Sequence, residues 1–208
     1  MAIPPRYLKA PEGVITSFNF ADVISGTGYL TLYGFDTDLD EFELSPQQLY
    51  SSLVETTRTT TGTTERNFDI TFNTPINVNG KMFVVCTFGG NSSSGTTNTF
   101  VLIRIIHVDR NAVETTIGTQ VTSDTHSNTT STVLRVRRSF IFDVNKVFRK
   151  NEKLRVEVIL DASIGTGTSG FYHDGAGRDM NAFLTTPTSN DEPAETTFIV
   201  HVPLKVEA

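Results

Sequence analysis

Near the end of the chain, hydrophobic and polar positions alternate with period two. In TTFIVHVPLKVEA, Phe198, Val200, Val202, Leu204 and Val206 fall on one side; Thr197, Ile199, His201, Pro203 and Lys205 fall on the other. That is the pattern of a strand with one buried face. Pro203 has no N–H to give to a ladder, which puts this strand at an edge or turns its proline away from a partner. KLRVEVIL repeats the pattern, with Leu154, Val156, Val158 and Leu160 pointing one way and Arg155, Glu157 and Ile159 the other. Upstream, STVLRVRRSFIFDV offers Leu134, Val136, Phe140 and Phe142 to a core, and the FRKNE that follows reads as a turn. NFDITF alternates through Phe68, Ile70 and Phe72.

Two segments are nearly continuous in apolar residues, TFVLIRIIHVD (99–109) and KMFVVCTF (81–88). Such runs suit central strands covered on both faces. Between them GGNSSSGTTN (89–98) reads as a polar connection. Asn79-Gly80 suits a two-residue hairpin turn, because both residues tolerate positive φ. VITSFNF (14–20), GYLTLYGF (28–35) and VETTIGTQV (113–121) supply further strands, for about ten in all. One short helix is expected in SPQQLYSSLV, with Ser45 as cap, Pro46 at the first helical position and Gln48 completing a capping box. The competing reading there is a strand that runs into the threonine tract. The expected class is all-β, an antiparallel β-sandwich. Residues 1–13, with Pro4, Pro5 and Pro11, read as an extended arm that hangs free or clamps a neighbour; residues 14–208 read as a single domain.

Composition sharpens this. Of 208 residues, 32 are threonine, while charged residues make up only 19%. Threonine fits a pleated strand and keeps its outer face wet. Fifteen phenylalanines with no tryptophan suit a packed core. The net charge of −6 argues against broad binding to nucleic acid. Arg135, Arg137 and Arg138 cluster, but strand alternation sends them to both faces. The lone Cys86 excludes an intrachain disulfide and reads as a core residue. The first residues lack the apolar core of a secretion signal, and no apolar run is long enough for a membrane-spanning helix. A soluble protein made in a cytoplasm is therefore expected. Asn91-Ser-Ser and Asn128-Thr-Thr match the glycosylation pattern but read as loop residues.

GFYHDGAGRDM (170–180) looks most like chemistry, since it sets Tyr172, His173, Asp174, Arg178 and Asp179 among three glycines. Catalysis by a histidine needs one group to activate and another to orient it. His173 and Asp174 are strand neighbours that point apart, and the chain has no G-x-S-x-G elbow. These residues are therefore read as a ligand or interface loop, with glycines at turns. Asp36, Asp38 and Asp40 alternate as in a calcium loop, but Glu41 and Gln47 stand where an EF-hand needs Gly and Glu. The trio reads as an acidic loop with weak calcium potential. His107, His126 and His201 lack metal-ligand spacing, and no phosphate-cradling or dinucleotide loop is present. No cofactor and no catalytic residue is expected.

VFRKNEKLRVEVIL, then the excursion through FYHDGAGRDM, then TTFIVHVPLKVEA, resembles the closing strands of jelly-roll sandwiches in viral structural proteins. The opening GVITSFNFADVISGTGYLTLYGF resembles the start of virion-associated proteins of tailed phages and related viruses. Together these stretches cover under half of the chain. The resemblance implies a jelly-roll-like sandwich serving as a capsid-decorating, minor capsid or tail-associated component. It implies partners among other virion proteins, and it carries over no catalytic residue. A low-charge, hydroxyl-rich surface is cheap to desolvate at subunit contacts. Closed symmetry then favours a homo-oligomer such as a trimer or another ring. The alternative expectation is a carbohydrate-binding sandwich or receptor-binding tip, which the absence of tryptophan and the few tyrosines disfavour.

Overall fold

A computed structural model describes residues 27–37, 42–47, 55–173 and 198–205. Among these residues there are eleven strands and no helix. They are β1 (Thr27–Asp36), β2 (Phe42–Ser45), β3 (Glu55–Arg58), β4 (Gly62–Thr71), β5 (Ile76–Val108), β6 (Glu114–Thr116), β7 (Val121–Thr122), β8 (His126–Asn128), β9 (Leu134–Phe148), β10 (Lys153–Tyr172) and β11 (Phe198–Lys205). Every pairing is antiparallel except a short parallel contact of β2 with β4 at Phe42↔Phe68 and Glu43↔Asp69. The all-β sandwich expected from the periodicity is the architecture found.

The long β5 organises it. Its first half lies between β9 and β11; its second half lies between β10 and the short strands β6, β7 and β8. One layer therefore reads β9–β5–β11–β1–β2 and the other β6/β7/β8–β5–β10–β4, with β3 on the end of β10. The β2–β4 contact joins the two layers at the side away from β5. Core side chains meet between them. Phe198 of the first layer stacks at 4.5 Å from Phe68 and 5.4 Å from Phe171 of the second. The alternating sets behave as periodicity demands. Leu154, Val156, Val158 and Leu160 of β10 are buried, as are Phe198, Val200 and Val202 of β11 and Phe140 and Phe142 of β9. Leu134, Val136, Ile70 and Leu204 are only half-buried. Cys86 is a core residue, and burial pushes its thiol far up.

The FRKNE turn is present between β9 and β10. Asn151 takes the left-handed conformation (φ 66°), and Glu152 Oε2 accepts from Arg149 N (2.8 Å) and pairs with His107 Nε2 (2.9 Å). These hydrogen bonds, the one from Arg149 foremost, hold the Glu152 carboxyl below its usual range.

Several readings of the sequence change. Asn79-Gly80 makes no hairpin: β5 runs straight through it, with Asn79 opposite Asn145 and Gly80 opposite Val144. Gly80 does adopt positive φ (135°), beside Pro203. Pro203 lies in an interior strand, which leaves the second of the two alternatives: the β11–β5 register shifts between His201 and Leu204, and Pro203 has no partner on β5 there. The missing N–H of Pro203 falls in that irregular stretch. Likewise GGNSSSGTTN is not a connection but part of β5, with register shifts opposite Ile164–Gly167. Gly89 and Gly90 sit where β9, β5 and β10 converge, and a Cβ there would overlap the Leu134 and Thr168 carbonyl oxygens. The expected 113–121 strand is split by Gly118 (φ 84°) into β6 and β7. At the expected helix, Ser45 Oγ accepts from Gln47 N (3.0 Å), but Ser45 ends a strand and residues 48–54 lie outside the described residues. The arm at 1–13 and the 14–20 strand also lie outside them.

Candidate functional site

Of the residues set apart in the sequence, Asp38, Asp40, Asp174, Arg178 and Asp179 lie outside the described residues. Asp36 is buried at the end of β1. Among the described residues no group of three or more His, Cys, Asp or Glu is placed to hold a metal. Tyr172 is on a strand rather than a loop, and His173 follows it directly. β10 extends through Tyr172, and Gly170 is paired on both sides, with Gly89 and with Thr57. Tyr172 lies over Gly170 on the outer side, with the Arg135 guanidinium 4.5 Å from its ring centroid.

His173 points the other way, into the core. Its ring lies 5.4, 5.7 and 5.6 Å from the rings of Phe42, Phe68 and Phe171. Its Nε2 is 3.3 Å from Thr56 Oγ1, which also accepts from Arg66 Nε (3.1 Å). The direction of the Thr56–Nε2 hydrogen bond depends on the imidazole tautomer, and the other ring nitrogen is Nδ1. That Nδ1 is buried without a hydrogen-bond partner. Burial first, and the Arg66 charge second, push the imidazole down to about 3. It is neutral at physiological pH and walled in by phenyl rings, so its geometry is that of a packing residue.

The outer faces of the two layers differ sharply. On the β4–β10 layer, Arg155 forms a two-pronged pair with the Asp69 carboxylate (2.7 and 2.9 Å) and also reaches Glu114 of β6. Lys153 lies 3.4 Å from Asp69. One row along, Arg104 contacts the buried Glu157. Desolvation, then repulsion from Glu65, pushes the Glu157 carboxyl up. An open polar cleft of about 430 Å³ lies at the β2–β4 seam, lined by Phe42, Glu43, Glu65, Arg66, Asn67, Asp69, Lys153 and Arg155.

The outer face of the β9–β5–β11–β1 layer is instead apolar. The register sets Thr31, His201, Phe83 and Ile141 in one row across four strands, and Tyr33, Ile199, Val85 and Ser139 in the next. Tyr29 projects beside them with its ring 6.0 Å from Phe83. Tyr29 is 41% and Ile141 53% exposed, while Phe83, Val85, Tyr33 and Ile199 are half-buried. The polar members are mostly satisfied locally. Thr31 Oγ1 and His201 Nδ1 lie 3.1 Å apart, and burial pushes the His201 imidazole down, toward neutrality. At the rim Lys81 pairs with Asp143 (2.8 Å). An antiparallel sheet ordinarily turns polar residues to solvent on its second face, and an exposed apolar patch marks an interaction surface. This face is the candidate site, and the periodicity reading missed it. Its signal was the unbroken apolar run KMFVVCTF, where Phe83 and Val85 point away from the core.

The two sequons are structural pins. Asn128 is buried, its Nδ2 donating to Gly90 O (2.6 Å) and Thr132 O (2.9 Å). Asn91 accepts from Thr168 N (2.8 Å) and donates to Ser131 O (3.3 Å).

No protein-family model matches the chain, and no curated protein matches it. Solved structures do. A CocE/NonD family hydrolase from Staphylococcus aureus superposes with a TM-score of 0.52 at 12% identity, over 86% of this chain and 37% of the hydrolase. An aminopeptidase from a marine sediment archaeon, Thaumarchaeota archaeon, gives 0.50 at 9% identity, over 87% of this chain and 37% of the enzyme. The chain thus spans little more than a third of each enzyme, and the likeness is one of fold. The fold is one that enzymes contain. A match to infectious bursal disease virus, Gx strain, has a TM-score of 0.19, with 11% identity over 85% of this chain and 42% of that one, and carries no argument.

Proposed function

We propose that the chain is a structural component of a virus particle, a capsid-decorating, minor capsid or tail-associated protein that acts through subunit contacts rather than by catalysis. The observation that supports this reading is the apolar outer face of the β9–β5–β11–β1 layer. A folded sheet that keeps aromatic and aliphatic side chains on its solvent side lowers its free energy when a neighbour covers them. The rest of the described molecule fits a scaffold. The one histidine of the expected loop is spent on packing, and the opposite face is cross-braced by ion pairs. Rings, trimers among them, remain the proposed order of assembly. Quantitative mass spectrometry of particles purified from cells that express the chain tests the proposal. Its peptides are expected in the particles at a fixed stoichiometry; their absence from intact particles would sink it.

The polar cleft at the β2–β4 seam favours a second reading, a binder of polyhydroxylated ligands such as glycans. It offers Asn and carboxylate acceptors and Arg and Lys donors around the half-exposed Phe42. A glycan array with no hits would remove it.

A further inference from the structure

We propose that the apolar face of the β9–β5–β11–β1 layer is covered by the same face of a second copy of this chain, in a two-fold, face-to-face contact. The inference deepens the assembly reading and rests on it for biological context, but it has its own evidence. The first strand of that evidence is burial on two sides. In KMFVVCTF, Met82, Val84, Cys86 and Phe88 fill the core, while Phe83 and Val85 lie on the outer face. A strand with two apolar faces is one that a packed layer covers on each. Only the core side has such a layer among the described residues.

The second is electrostatic. The rows through Phe83 and Val85 hold no ionised side chain, and the flanking rows carry the Lys81–Asp143 pair on one side and Arg137, opposite Thr87, on the other. The occupant of those two central rows must therefore be uncharged, flat and apolar, with charge tolerated only along the rim. The described outer surface of the other layer is an ionic lattice, in a molecule of net charge −6. Pressing that lattice onto the apolar face would strip water from its charges with no partner to replace it. The like face of another copy has the required chemistry, and sheets stack face to face at about 10 Å with side chains interleaved. A two-fold contact of this kind is self-complementary by construction.

The third is size. Four strands at about 4.8 Å spacing and the run from Tyr29 to Phe35 at about 3.4 Å per residue give a footprint of roughly 19 by 20 Å. That is about 400 Å² per copy in projection and about 800 Å² for the pair, below the range of a permanent dimer. The contact is therefore reversible on its own and becomes firm only where many copies are held together. Pairs of this kind are also units from which rings of higher symmetry are built.

Sedimentation velocity on the full chain across a wide concentration range tests this. The wild type should move from monomer toward dimer as concentration rises. Ile141→Lys, at an exposed position that leaves the core untouched, should raise the dissociation constant about tenfold or more by burying a charge in the contact. Ser139→Lys, in the adjacent row, should do the same. Val113→Lys, at an equally exposed apolar residue in the β5–β6 connection, should leave it unchanged. Thermal midpoints of the variants are read alongside to confirm folding. A wild type that stays monomeric at every concentration overturns the inference, as does a dimer that ignores both lysines or yields to Val113→Lys. A monomer in isolation that is nonetheless found in particles sinks this inference and leaves the assembly reading standing. A dimer that needs Ile141, from a chain absent from particles, does the reverse.

Discussion

His173 makes this fold sensitive to acid. Its imidazole, ordinarily at 6.5, is pushed down to about 3. The unfolded chain therefore takes up a proton near pH 6.5 that the folded chain refuses until about pH 3. Between those values the unfolded state binds more protons, so stability falls as pH falls. At about 1.36 kcal/mol per pH unit, acidification from about pH 6.5 to about pH 4.5 costs roughly 2–3 kcal/mol through this residue, and the whole span costs roughly 5 kcal/mol. That is a large share of a stability of about 5–15 kcal/mol. Replacing His173 by Phe keeps a ring among Phe42, Phe68 and Phe171 and removes the titrating group. Urea unfolding of both proteins near pH 7 and near pH 4.5 isolates the effect, because His126 and His201, also pushed down mainly by burial, titrate alike in both. The variant's stability relative to wild type should improve by roughly 2–3 kcal/mol on acidification. If the two proteins lose stability in parallel, the imidazole is not held neutral in the core and the reasoning fails.

Two further predictions concern the scaffold. Arg155→Met leaves the Asp69 carboxylate with only the longer Lys153 contact. Both Arg155 and Asp69 are mostly buried, so chemical denaturation should show a loss of about 2 kcal/mol, between the values for surface and buried pairs. Gly89→Ala drives a methyl into the Leu134 carbonyl oxygen, a backbone atom that cannot swing aside. It should cost about 3 kcal/mol or more, whereas Gly95→Ala, with open space around it but φ 84°, should cost about 1 kcal/mol. Equal thermal shifts for the two alanines would refute the close approach of β9 to β5.

Much of this fold was legible because the inner face of a strand must be apolar at every second residue. β10 and β11 obey that rule over their whole central stretches, and their core residues follow directly. β5 was misread for a physical reason. Glycine and asparagine mark turns because they tolerate positive φ, but glycine is also needed wherever another backbone comes close. Gly89 and Gly90, against two neighbouring strands, satisfy the second demand and look like the first, while Gly80 takes its positive φ inside a strand rather than at a turn. Likewise the glycines around Tyr172 suggested a loop, where Gly170 instead makes room for a tyrosine ring on a strand. The candidate face was illegible for another reason. Its residues come from four strands and occupy the solvent positions of each; outside the unbroken apolar run KMFVVCTF, a lone Tyr or Ile there carries no signal. Only the register that aligns Thr31, His201, Phe83 and Ile141 turns them into a surface.

Hydroxyl-radical footprinting of the intact chain, dilute and concentrated, reads that surface most directly, because it reports side-chain exposure residue by residue. Oxidation of Tyr29, Phe83 and Ile141 should fall as concentration rises, while Phe42 beside the polar cleft and Val113 should react at the same rate throughout. Association without protection of Tyr29 and Ile141, or protection that appears at Phe42 instead, would show that copies meet elsewhere.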